Sequence, residues 1–454
     1  MSGERVDVTD LVDSERIGAG QIRLAFLCLI VICFDGFNAQ VMGYAAPALI
    51  KAFHVSRQAF GPVASAGLFG LMIGALLLGT LGDRLGRRTI IIASVAVFGL
   101  FSTLTAFAPS IGLLVALRFL TGLGLGGAMP ASIALVAEYA PKRVRGAFVT
   151  VTVCGFAIGP AVGGFVAPSL LAGGGWPALF LAGGLAPLVL APLLALLLPE
   201  STRNLLARGA GPARIAANLR RVLPKARVPA DAELVDTQAA LPKAPVAAIF
   251  ADGRLLGTVC LWVAIFMNLL GINLQTSWLP LMLTDFGYKS GQAAHITALF
   301  HVGGALGGLL LAPVLDRLDY TKAVPAVFLL AAVAVAAIGM VGRAPGPLML
   351  ALFAAGLFVV GLQSLLNALS GMFYPAEIRA TGSGWALGIG RAGAAIGPSV
   401  GSALGALGLA RNQLFYLEAA PFVIGAAAIF LVRLQRRGSP VPDSAVAAVR
   451  TVPE

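Results

Sequence analysis

Charged residues are scarce in this sequence of 454 residues: Asp, Glu, Lys and Arg together make up 11% of it. An ordinary soluble domain has about 25%. Hydrophobic residues make up 58%, and the mean hydropathy is +0.90. A soluble core cannot bury that much apolar surface, so the composition excludes a soluble globular protein and indicates one that is solvated by lipid.

The residue types that bind metals and form disulfides are also few. The sequence has three histidines and four cysteines; the cysteines lie in apolar runs, and neither type shows ligand spacing. A phosphate-binding Gly-x-x-x-x-Gly-Lys-Ser/Thr loop is absent, which argues against an ATP-driven pump. No cluster of nucleophile and base indicates catalysis. We therefore expect neither an enzyme nor a bound metal or cofactor.

Long apolar runs are what the sequence has instead. A helix needs about 20 apolar residues to cross the hydrocarbon core of a membrane, and runs of about this length are separated by short polar breaks. Because the runs are continuously apolar rather than alternating, they predict helices and not a barrel. The predicted fold is an all-α polytopic membrane protein with about twelve spans, near residues 24–49, 60–81, 89–108, 110–137, 147–171, 176–198, 255–283, 292–315, 323–342, 346–373, 383–408 and 413–434.

The net charge of +12 would also suit a nucleic-acid-binding protein, so the placement of the cations decides. With the N-terminus placed in the cytoplasm, the inside segments carry most of the Lys and Arg residues, whereas the outside loops hold only Lys51, Arg57, Lys289, Arg343 and Arg411. This asymmetry follows the positive-inside rule. We expect a multi-pass inner-membrane protein with both chain ends in the cytoplasm, in contact with the lipid bilayer and without a nucleic acid partner.

The longest polar stretch divides six predicted spans from six. The predicted organisation is a cytoplasmic N-terminal tail (1–22), a first six-helix bundle (23–198), a cytoplasmic linker (199–254), a second six-helix bundle (255–435) and a cytoplasmic C-terminal tail (436–454). In the linker, cations alternate with Ile215, Leu219, Val222 and Leu223. This pattern suits either the lipid headgroup surface or a solvated loop.

The two halves repeat. The stretch 141–145 recurs as 375–379, and Asp83-Arg84-Leu85 recurs as Asp316-Arg317-Leu318. Glycines four residues apart occur in both 155–163 and 393–401, and such rows let helix backbones approach closely. Duplicated six-helix bundles are typical of carriers that hold their substrate between the bundles, near the bilayer midplane.

The stretch 79–88, Gly-Thr-Leu-Gly-Asp-Arg-Leu-Gly-Arg-Arg, resembles the signature loop of the major facilitator superfamily. Asp35-Gly36-Phe37-Asn38 and the stretches 118–126 and 374–391 resemble one branch, the aromatic acid:proton symporters that import 4-hydroxybenzoate, protocatechuate, benzoate and related acids into bacteria. The resemblance implies a monomeric inner-membrane carrier that imports an aromatic acid by alternating access and uses the proton gradient as its energy source.

Two features depart from that branch. Asn38 stands where the family usually has a second aspartate, which leaves one ionisable carboxyl in the motif. The stretch 155–164 resembles a motif of proton-coupled drug antiporters. Efflux of a drug or metabolite is therefore the alternative function, and a non-transporting sensor is a third.

Three charged side chains in the spans are the first candidates for transport chemistry, because a charge at membrane depth is costly. Asp35 lies near the middle of the first span, where desolvation disfavours the carboxylate, so it is predicted to carry the coupled proton. Arg118 and Arg391 are permanent cations whose guanidinium groups match a carboxylate with two parallel hydrogen bonds. Both are predicted to bind the acid group of the substrate; neutralising Asp35, or gating for Arg118, are the alternatives.

Uncharged side chains complete the predicted substrate site. The amides can bind ring hydroxyls or satisfy one another between helices, and the aromatic residues can stack on a benzene ring or lie at the membrane interface. The residues are Asn38, Asn268, Gln275, Gln363, Asn367, Trp278 and Tyr44. His295 and His301, on different faces of the eighth span, suit either a proton relay or helix packing.

Charged residues of both signs cluster at the cytoplasmic ends of the predicted spans. The positive-inside rule explains the arginines but not their acidic neighbours. We expect a charge-paired latch that stabilises the outward-open state and breaks when the carrier opens inward. Its predicted members are Asp83, Arg84, Arg87, Arg88, Glu138, Arg145, Asp316, Arg317 and Arg379.

Overall fold

The computed structural model describes residues 5–224, 233–235, 245–311, 319–342, 344–375, 377–409 and 411–438. Fourteen α-helices dominate it, as the apolar runs predict. They are α1 (Val8–Ser14), α2 (Ala19–Ala52), α3 (Arg57–Leu85), α4 (Arg87–Thr105), α5 (Ile111–Tyr139), α6 (Lys142–Leu197), α7 (Thr202–Ala207), α8 (Pro212–Val222), α9 (Leu255–Asp285), α10 (Ser290–Leu311), α11 (Tyr320–Val341), α12 (Pro345–Phe373), α13 (Arg379–Ala406) and α14 (Arg411–Gly438).

The helix ends in the first half are set by local hydrogen bonds and one glycine. The side chain of Ser56 accepts a hydrogen bond from the Ala59 N–H at the start of α3, and Ser110 does the same for Leu113 at the start of α5. Serine is a favoured residue at this position because its oxygen satisfies one of the free N–H groups of the first turn. Gly86, with φ of 98°, separates α3 from α4.

Ten of the described helices are long and apolar enough to cross a membrane, and α6 accounts for two crossings. Its 56 residues would extend about 84 Å at 1.5 Å per residue, whereas the hydrocarbon core is about 30 Å thick. Gly175, with φ of 65°, breaks the helix. Gly163 and Gly183, on either side of the break, both pack on the ring of Phe37, so the chain folds back.

Helix α13 is the twelfth crossing. It falls outside the ten apolar helices because it is rich in glycine and carries Arg391 within its length. It nevertheless packs along α9 and α3 as a member of the bundle. Counting α6 twice and adding α13 gives twelve crossings among the described residues, so the predicted all-α polytopic fold is confirmed.

The glycine rows bring helices together within each bundle. Gly155 and Gly159 of α6 lie against the backbone of α2 at Cys33, where a Cβ atom would collide with main-chain atoms. In the second half, Gly393 and Gly397 of α13 lie against the backbone of α9 at Phe266 and Leu270. The packing role predicted for these rows is confirmed.

The linker contains two short helices that attach to the first bundle. The apolar side of α8, with Ile215, Leu219 and Val222, is buried in the same core as Leu24 and Tyr139. Neither interpretation of the linker pattern describes this helix, because its apolar side faces the first bundle rather than lipid headgroups or solvent. A short parallel pairing of β1 (Arg5–Asp7) with β2 (Glu233–Val235) joins the linker to the beginning of the chain.

Candidate functional site

The two bundles meet at the end of the molecule where α2 ends and α3 begins. We call this region, with Arg57, Ser65, Asp285 and Ser399, the sealed end. Arg57 of α3 pairs with Asp285 of α9 through two hydrogen bonds, one of 2.6 Å from Nη2 to Oδ1. The hydroxyls of Ser65 and Ser399 are 2.9 Å apart. These contacts cross the interface between the bundles and hold this end closed.

Further cross-bundle hydrogen bonds lie in the same region. Gln40 of α2 donates through Nε2 to the carbonyl of Thr276 in α9 at 2.7 Å, and the hydroxyl of Ser402 donates to the carbonyl of Gln58. These contacts could not be predicted from the sequence, because their partners are hundreds of residues apart in the chain and carry no shared motif.

A disulfide across the sealed end is expected to stop transport. Because the Ser65 and Ser399 hydroxyls are 2.9 Å apart, the sulfurs of a cysteine pair at these positions would lie close to the bonding distance of about 2.05 Å. Oxidised Ser65→Cys/Ser399→Cys protein should lose uptake and regain it on reduction. Each single cysteine variant is the matched control and should be insensitive to oxidant. Full uptake by the cross-linked protein would mean that this end does not open during transport.

Asp35 lies at the middle of α2 and is 2% exposed. Among the described residues no group donates a hydrogen bond to its carboxylate, and Oδ1 is buried without a partner. The basic group whose charge acts on it is the guanidinium of Arg391, from α13 of the second bundle. Arg391 is partly buried, and none of the described hydrogen bonds involves its side chain. The two charges predicted from the sequence therefore lie within electrostatic range of each other, one in each bundle.

Arg118 is almost completely buried in the first bundle, with 2% exposure. Its Nη2 donates to the carbonyl of Asn38 at 2.8 Å, and its guanidinium carbon lies 5.4 Å from the centre of the Phe180 ring. Nε and Nη1 have no partner among the described residues. A buried guanidinium with two unused donors is suited to receive an anion.

Asn38 positions Arg118 and is not open to a substrate. Its Nδ2 donates to the carbonyls of Phe34, at 3.1 Å, and Gly183, at 2.8 Å. Its Oδ1 accepts a 2.8 Å hydrogen bond from the Ser102 hydroxyl. Because the amide is fully buried and its hydrogen bonds are filled by the first bundle, we assign Asn38 to positioning the backbone that holds Arg118 rather than to the predicted substrate contact.

Tyr44 and Trp278 also use their polar atoms within the protein. The Tyr44 hydroxyl donates to the carbonyl of Pro160 at 2.7 Å, and Trp278 Nε1 donates to the carbonyl of Pro398 at 2.8 Å. Both side chains are buried. These bonds join neighbouring helices, so the structure gives both residues a packing role, and Trp278 also lines a cleft at the sealed end.

Three of the predicted amides form a chain of hydrogen bonds between α9 and α12. Asn268 Nδ2 donates to Gln363 Oε1 at 2.9 Å, and Gln363 Nε2 donates to Asn367 Oδ1 at 3.0 Å. Asn268 is fully buried and its Oδ1 has no partner, whereas Asn367 is exposed. We call Asn268, Gln363 and Asn367 the amide chain.

Gln275 contacts a carboxyl that the sequence analysis missed. Its Nε2 donates to Glu418 Oε2 of α14 at 2.7 Å, and both side chains are 1% exposed. The signal was present, because Glu418 is an acidic residue within an apolar run, as Asp35 is.

The two histidines lie in different surroundings, as their spacing predicts. His301 is buried, its ring packs edge-on against Phe300, and its Nε2 has no partner among the described residues. His295 is exposed and packs on Phe165 of α6, with 5.9 Å between ring centres.

Three described members of the predicted latch, Arg87, Arg88 and Glu138, bond within the first bundle and its linker. Arg87 Nη1 of α4 is 2.6 Å from Glu138 Oε2 of α5. Glu138 also accepts hydrogen bonds from the Ser201 hydroxyl, at 2.7 Å, and the Arg203 N–H, at 3.0 Å. Arg88 donates to the carbonyl of Ala195. These contacts connect α4, α5, the end of α6 and the start of α7.

The remaining latch residues are less closely connected. Arg145 Nη2 lies 3.9 Å from Asp13 Oδ1 of α1, the carbonyl of Arg84 accepts a hydrogen bond from Arg208, and Arg379 Nε donates to the carbonyl of Tyr374 at 3.4 Å. Burial raises the pKa of Asp13, but the hydrogen bonds and charge of Lys142 outweigh this and leave that pKa below its usual range. Asp316, Arg317 and the side chain of Asp83 lie outside the described residues.

A family model described as Major Facilitator Superfamily matches residues 28–281 and 261–453, which together cover most of the chain. The chain belongs to the Major Facilitator Superfamily. The resemblance of the stretch 79–88 to the superfamily's signature loop is thereby confirmed. The superfamily consists of transporters and not of enzymes, in agreement with the absence of a catalytic cluster from the sequence.

Curated relatives within the superfamily cover nearly the whole chain. A gallate transporter of Pseudomonas putida is 41% identical over 93% of this chain and 94% of the relative. A 4-hydroxybenzoate transporter, PcaK, of Pseudomonas aeruginosa is 39% identical over 94% and 96%. A 3-(3-hydroxy-phenyl)propionate transporter of Escherichia coli is 35% identical over 92% and 96%. The predicted resemblance to aromatic acid transporters is confirmed.

Solved structures agree with the superfamily fold. The xylose transporter XylE from E. coli, in a partially occluded inward-open conformation, superimposes with a TM-score of 0.70 over 90% of this chain and 98% of that one, at 18% identity. A bacterial homologue of the human lysosomal transporter Spinster, in an inward-facing conformation, gives a TM-score of 0.72 over 93% and 99%, at 15% identity. At these identities the likeness establishes the fold alone.

Proposed function

We propose that this protein is a proton-coupled carrier that imports a hydroxylated aromatic carboxylic acid by alternating access. The observation that carries the proposal is the pair formed by Asp35 and Arg391, one from each bundle, with Asp35 buried and its Oδ1 unpaired. The named substrates of the relatives, gallate and 4-hydroxybenzoate, are acids of this kind.

Competition for Arg391 supplies the coupling. When Asp35 is ionised, it is the counter-ion of Arg391, and a substrate carboxylate entering the site would face a like charge. When Asp35 takes up a proton, Arg391 is left without a counter-ion and binds the substrate carboxylate bidentately. The substrate anion and the proton therefore bind together, because either one alone would leave a net charge in the site. The loaded and the empty sites are both charge-compensated, which favours the movement of the bundles in these two states.

The amide chain suits the hydroxylated edge of the ring. Gln363 is partly exposed and Asn367 is exposed, and a carboxamide can both donate to and accept from a phenolic hydroxyl. The unpaired Oδ1 of Asn268 adds a further acceptor. Arg118, with two unused donors, is a second candidate anion contact in the first bundle.

Gln363→Leu is expected to weaken binding of 4-hydroxybenzoate more than binding of unsubstituted benzoate. Removing one hydrogen bond from a desolvated hydroxyl costs about 1–3 kcal/mol, whereas benzoate has no hydroxyl to lose. Asn273→Leu is the matched control, since the Asn273 amide donates to the carbonyl of Leu269 in its own helix. Equal losses for the two acids, measured by binding to purified protein, would remove the amide chain from ring recognition.

The direction of transport is tested in proteoliposomes with an imposed proton gradient. Labelled 4-hydroxybenzoate should accumulate when the outside is acidic and should not accumulate when the gradient is reversed. Accumulation only with an acidic interior would favour the alternative, proton-coupled efflux. The 155–164 stretch gives no support to efflux, because Gly155 and Gly159 pack on α2.

The membrane placement and the latch are part of the same proposal. Most cations of the loops lie at the end that carries α1 and α8, which favours the bacterial inner membrane with both chain ends in the cytoplasm. The sealed end then faces the outside. The latch at the cytoplasmic end is proposed for its other members, because the Arg87–Glu138 pair lies within the first bundle and is formed while the sealed end is closed. We expect a monomer that uses the proton gradient and no cofactor.

A further inference from the structure

Glu418 is a buried carboxyl for which the transport mechanism above has no use. It is the eighth residue of α14, and 1% of its surface is exposed. Its Oε2 accepts a 2.7 Å hydrogen bond from Gln275 Nε2, while its Oε1 has no partner among the described residues. Gln275 Oε1, on the other side of the same contact, is buried and unpartnered as well.

One proton would satisfy both orphaned oxygens. An ionised carboxylate only accepts hydrogen bonds, and so does an amide oxygen, so Glu418 Oε1 and Gln275 Oε1 cannot bond to each other while Glu418 is charged. A protonated Glu418 donates from Oε1 to Gln275 Oε1 while Oε2 still accepts from Nε2. The result is a doubly hydrogen-bonded acid–amide pair, which leaves neither oxygen unpaired.

The surrounding helices offer no cation to compensate an ionised Glu418. Helix α9 carries no basic residue. Its one charged residue is the acidic Asp285, which lies ten residues beyond Gln275 and is paired with Arg57. The facing part of α11, between Phe328 and Gly339, contains no ionisable residue. Arg391 of α13 acts on Asp35. Within the described part of the chain no basic side chain forms an ion pair with Glu418, so its neutral form is favoured in the state with the sealed end closed.

A cleft at the sealed end comes to within one helical turn of this carboxyl. The cleft has a volume of about 330 Å³ and is lined by Arg57, Asp285, Trp278, Met282 and Leu414, among others. Leu414 lies one helical turn before Glu418, and Met282 lies two turns beyond Gln275, on the same faces of their helices. Water in the cleft would therefore reach to within one turn of Glu418.

A polar route continues towards the opposite end. Asn268 stands seven residues from Gln275 on the same face of α9, about 10 Å along the helix. Its Oδ1 is buried without a partner among the described residues, and its Nδ2 connects through Gln363 to the exposed Asn367. The polar groups thus run from the cleft, past Glu418, to the exposed end of the amide chain.

We propose that Glu418 is a second proton-binding site of the transport cycle, in addition to Asp35. The carboxylate takes up one proton from water on the side of the sealed end when that end opens, becomes a neutral acid paired with Gln275 while the end is closed, and releases the proton towards the amide chain to restore the carboxylate. No electron transfer is involved. The proposal rests on proton-coupled transport as the function of the protein.

Infrared difference spectroscopy of the membrane-embedded protein tests the proton itself. At neutral pH the parent protein should show the carbonyl stretch of protonated carboxylic acid, and Glu418→Gln should remove a component that Asp35→Asn retains. Gln275→Leu should shift the same component, because the acid then lacks its acceptor. Tyr416→Phe, an exposed position on the same helix, is the control and should leave the band unchanged. A Glu418→Gln spectrum identical to that of the parent would overturn the proposal.

The second arm measures coupling. With the membrane voltage held at zero, a tenfold proton gradient limits accumulation to about a hundredfold for two coupled protons and about tenfold for one. Glu418→Gln should lower the limiting accumulation ratio from about a hundredfold to about tenfold, and Glu418→Asp should restore the hundredfold ratio. An unchanged ratio in folded Glu418→Gln protein would also overturn the proposal. If the parent itself does not accumulate the acid, the proposed function fails, and the infrared band still decides whether Glu418 holds a proton.

Discussion

Asp35→Asn is expected to abolish uphill accumulation of the acid while leaving exchange of internal for external substrate. Asparagine is neutral, as protonated Asp35 is, so Arg391 keeps its ability to bind the substrate carboxylate. The variant cannot release the proton at this position, so its emptied site keeps Arg391 without a counter-ion and cannot reorient; net uptake stops even though Glu418 can still bind a proton. The accumulation ratio should fall to one, whereas counterflow of labelled acid against unlabelled acid should persist.

The measurement compares gradient-driven uptake with counterflow in the same proteoliposomes. Asp252→Asn is the matched control, since the Asp252 carboxylate is 78% exposed and lies outside the spans; it should behave as the parent in both assays. Normal accumulation by Asp35→Asn protein would show that another group carries the coupled proton. Loss of both activities together would indicate that Asp35 is needed for folding or for substrate binding.

Arg391→Ala should weaken binding of the acid by about 2–4 kcal/mol if the ion pair is desolvated. Arg391→Lys keeps the charge but loses the planar fork and adds a more strongly hydrated ammonium, so it should be intermediate. An uncharged amide analogue of the acid should bind the parent poorly and lose little further in either variant, because it has no carboxylate for Arg391 to recognise.

Comparing acid and amide on parent and Arg391→Ala protein separates recognition from folding. Arg16→Ala, which removes an exposed cation, controls for net charge and should change neither affinity. Equal losses for acid and amide would mean that Arg391 supports the fold or balances Asp35. The carboxylate site would then be sought at Arg118, whose Nε and Nη1 are unused.

The spans could be predicted because hydropathy is a local property of the sequence. The predicted break between 171 and 176 coincides with Gly175, where the positive φ ends one crossing and begins the next. The span at 383–408 was predicted from its apolar run in the same way, although α13 is diluted by glycine and carries Arg391. The packing of the glycine rows also followed from spacing alone, since four-residue periodicity places them on one helix face.

The candidate site could be predicted only in part. Asp35 and Arg391 were found because a charge in an apolar run is visible in the sequence, and Glu418 was overlooked although its signal was of the same kind. The environment of Asn38 depends on Gly183, 145 residues away, and the closure of the sealed end depends on Arg57 and Asp285, 228 residues apart. Such partners are set by tertiary packing, which no local pattern encodes.

The most direct test of proton-coupled import is to use an inward concentration gradient of the acid to drive protons across the membrane. Proteoliposomes without an imposed gradient receive external 4-hydroxybenzoate at a pH where the acid is ionised, and the pH of the lightly buffered medium is recorded. The account predicts that the medium becomes alkaline as acid enters, in parent protein and not in Asp35→Asn protein. Acid entry by the parent without any change in external pH would contradict it.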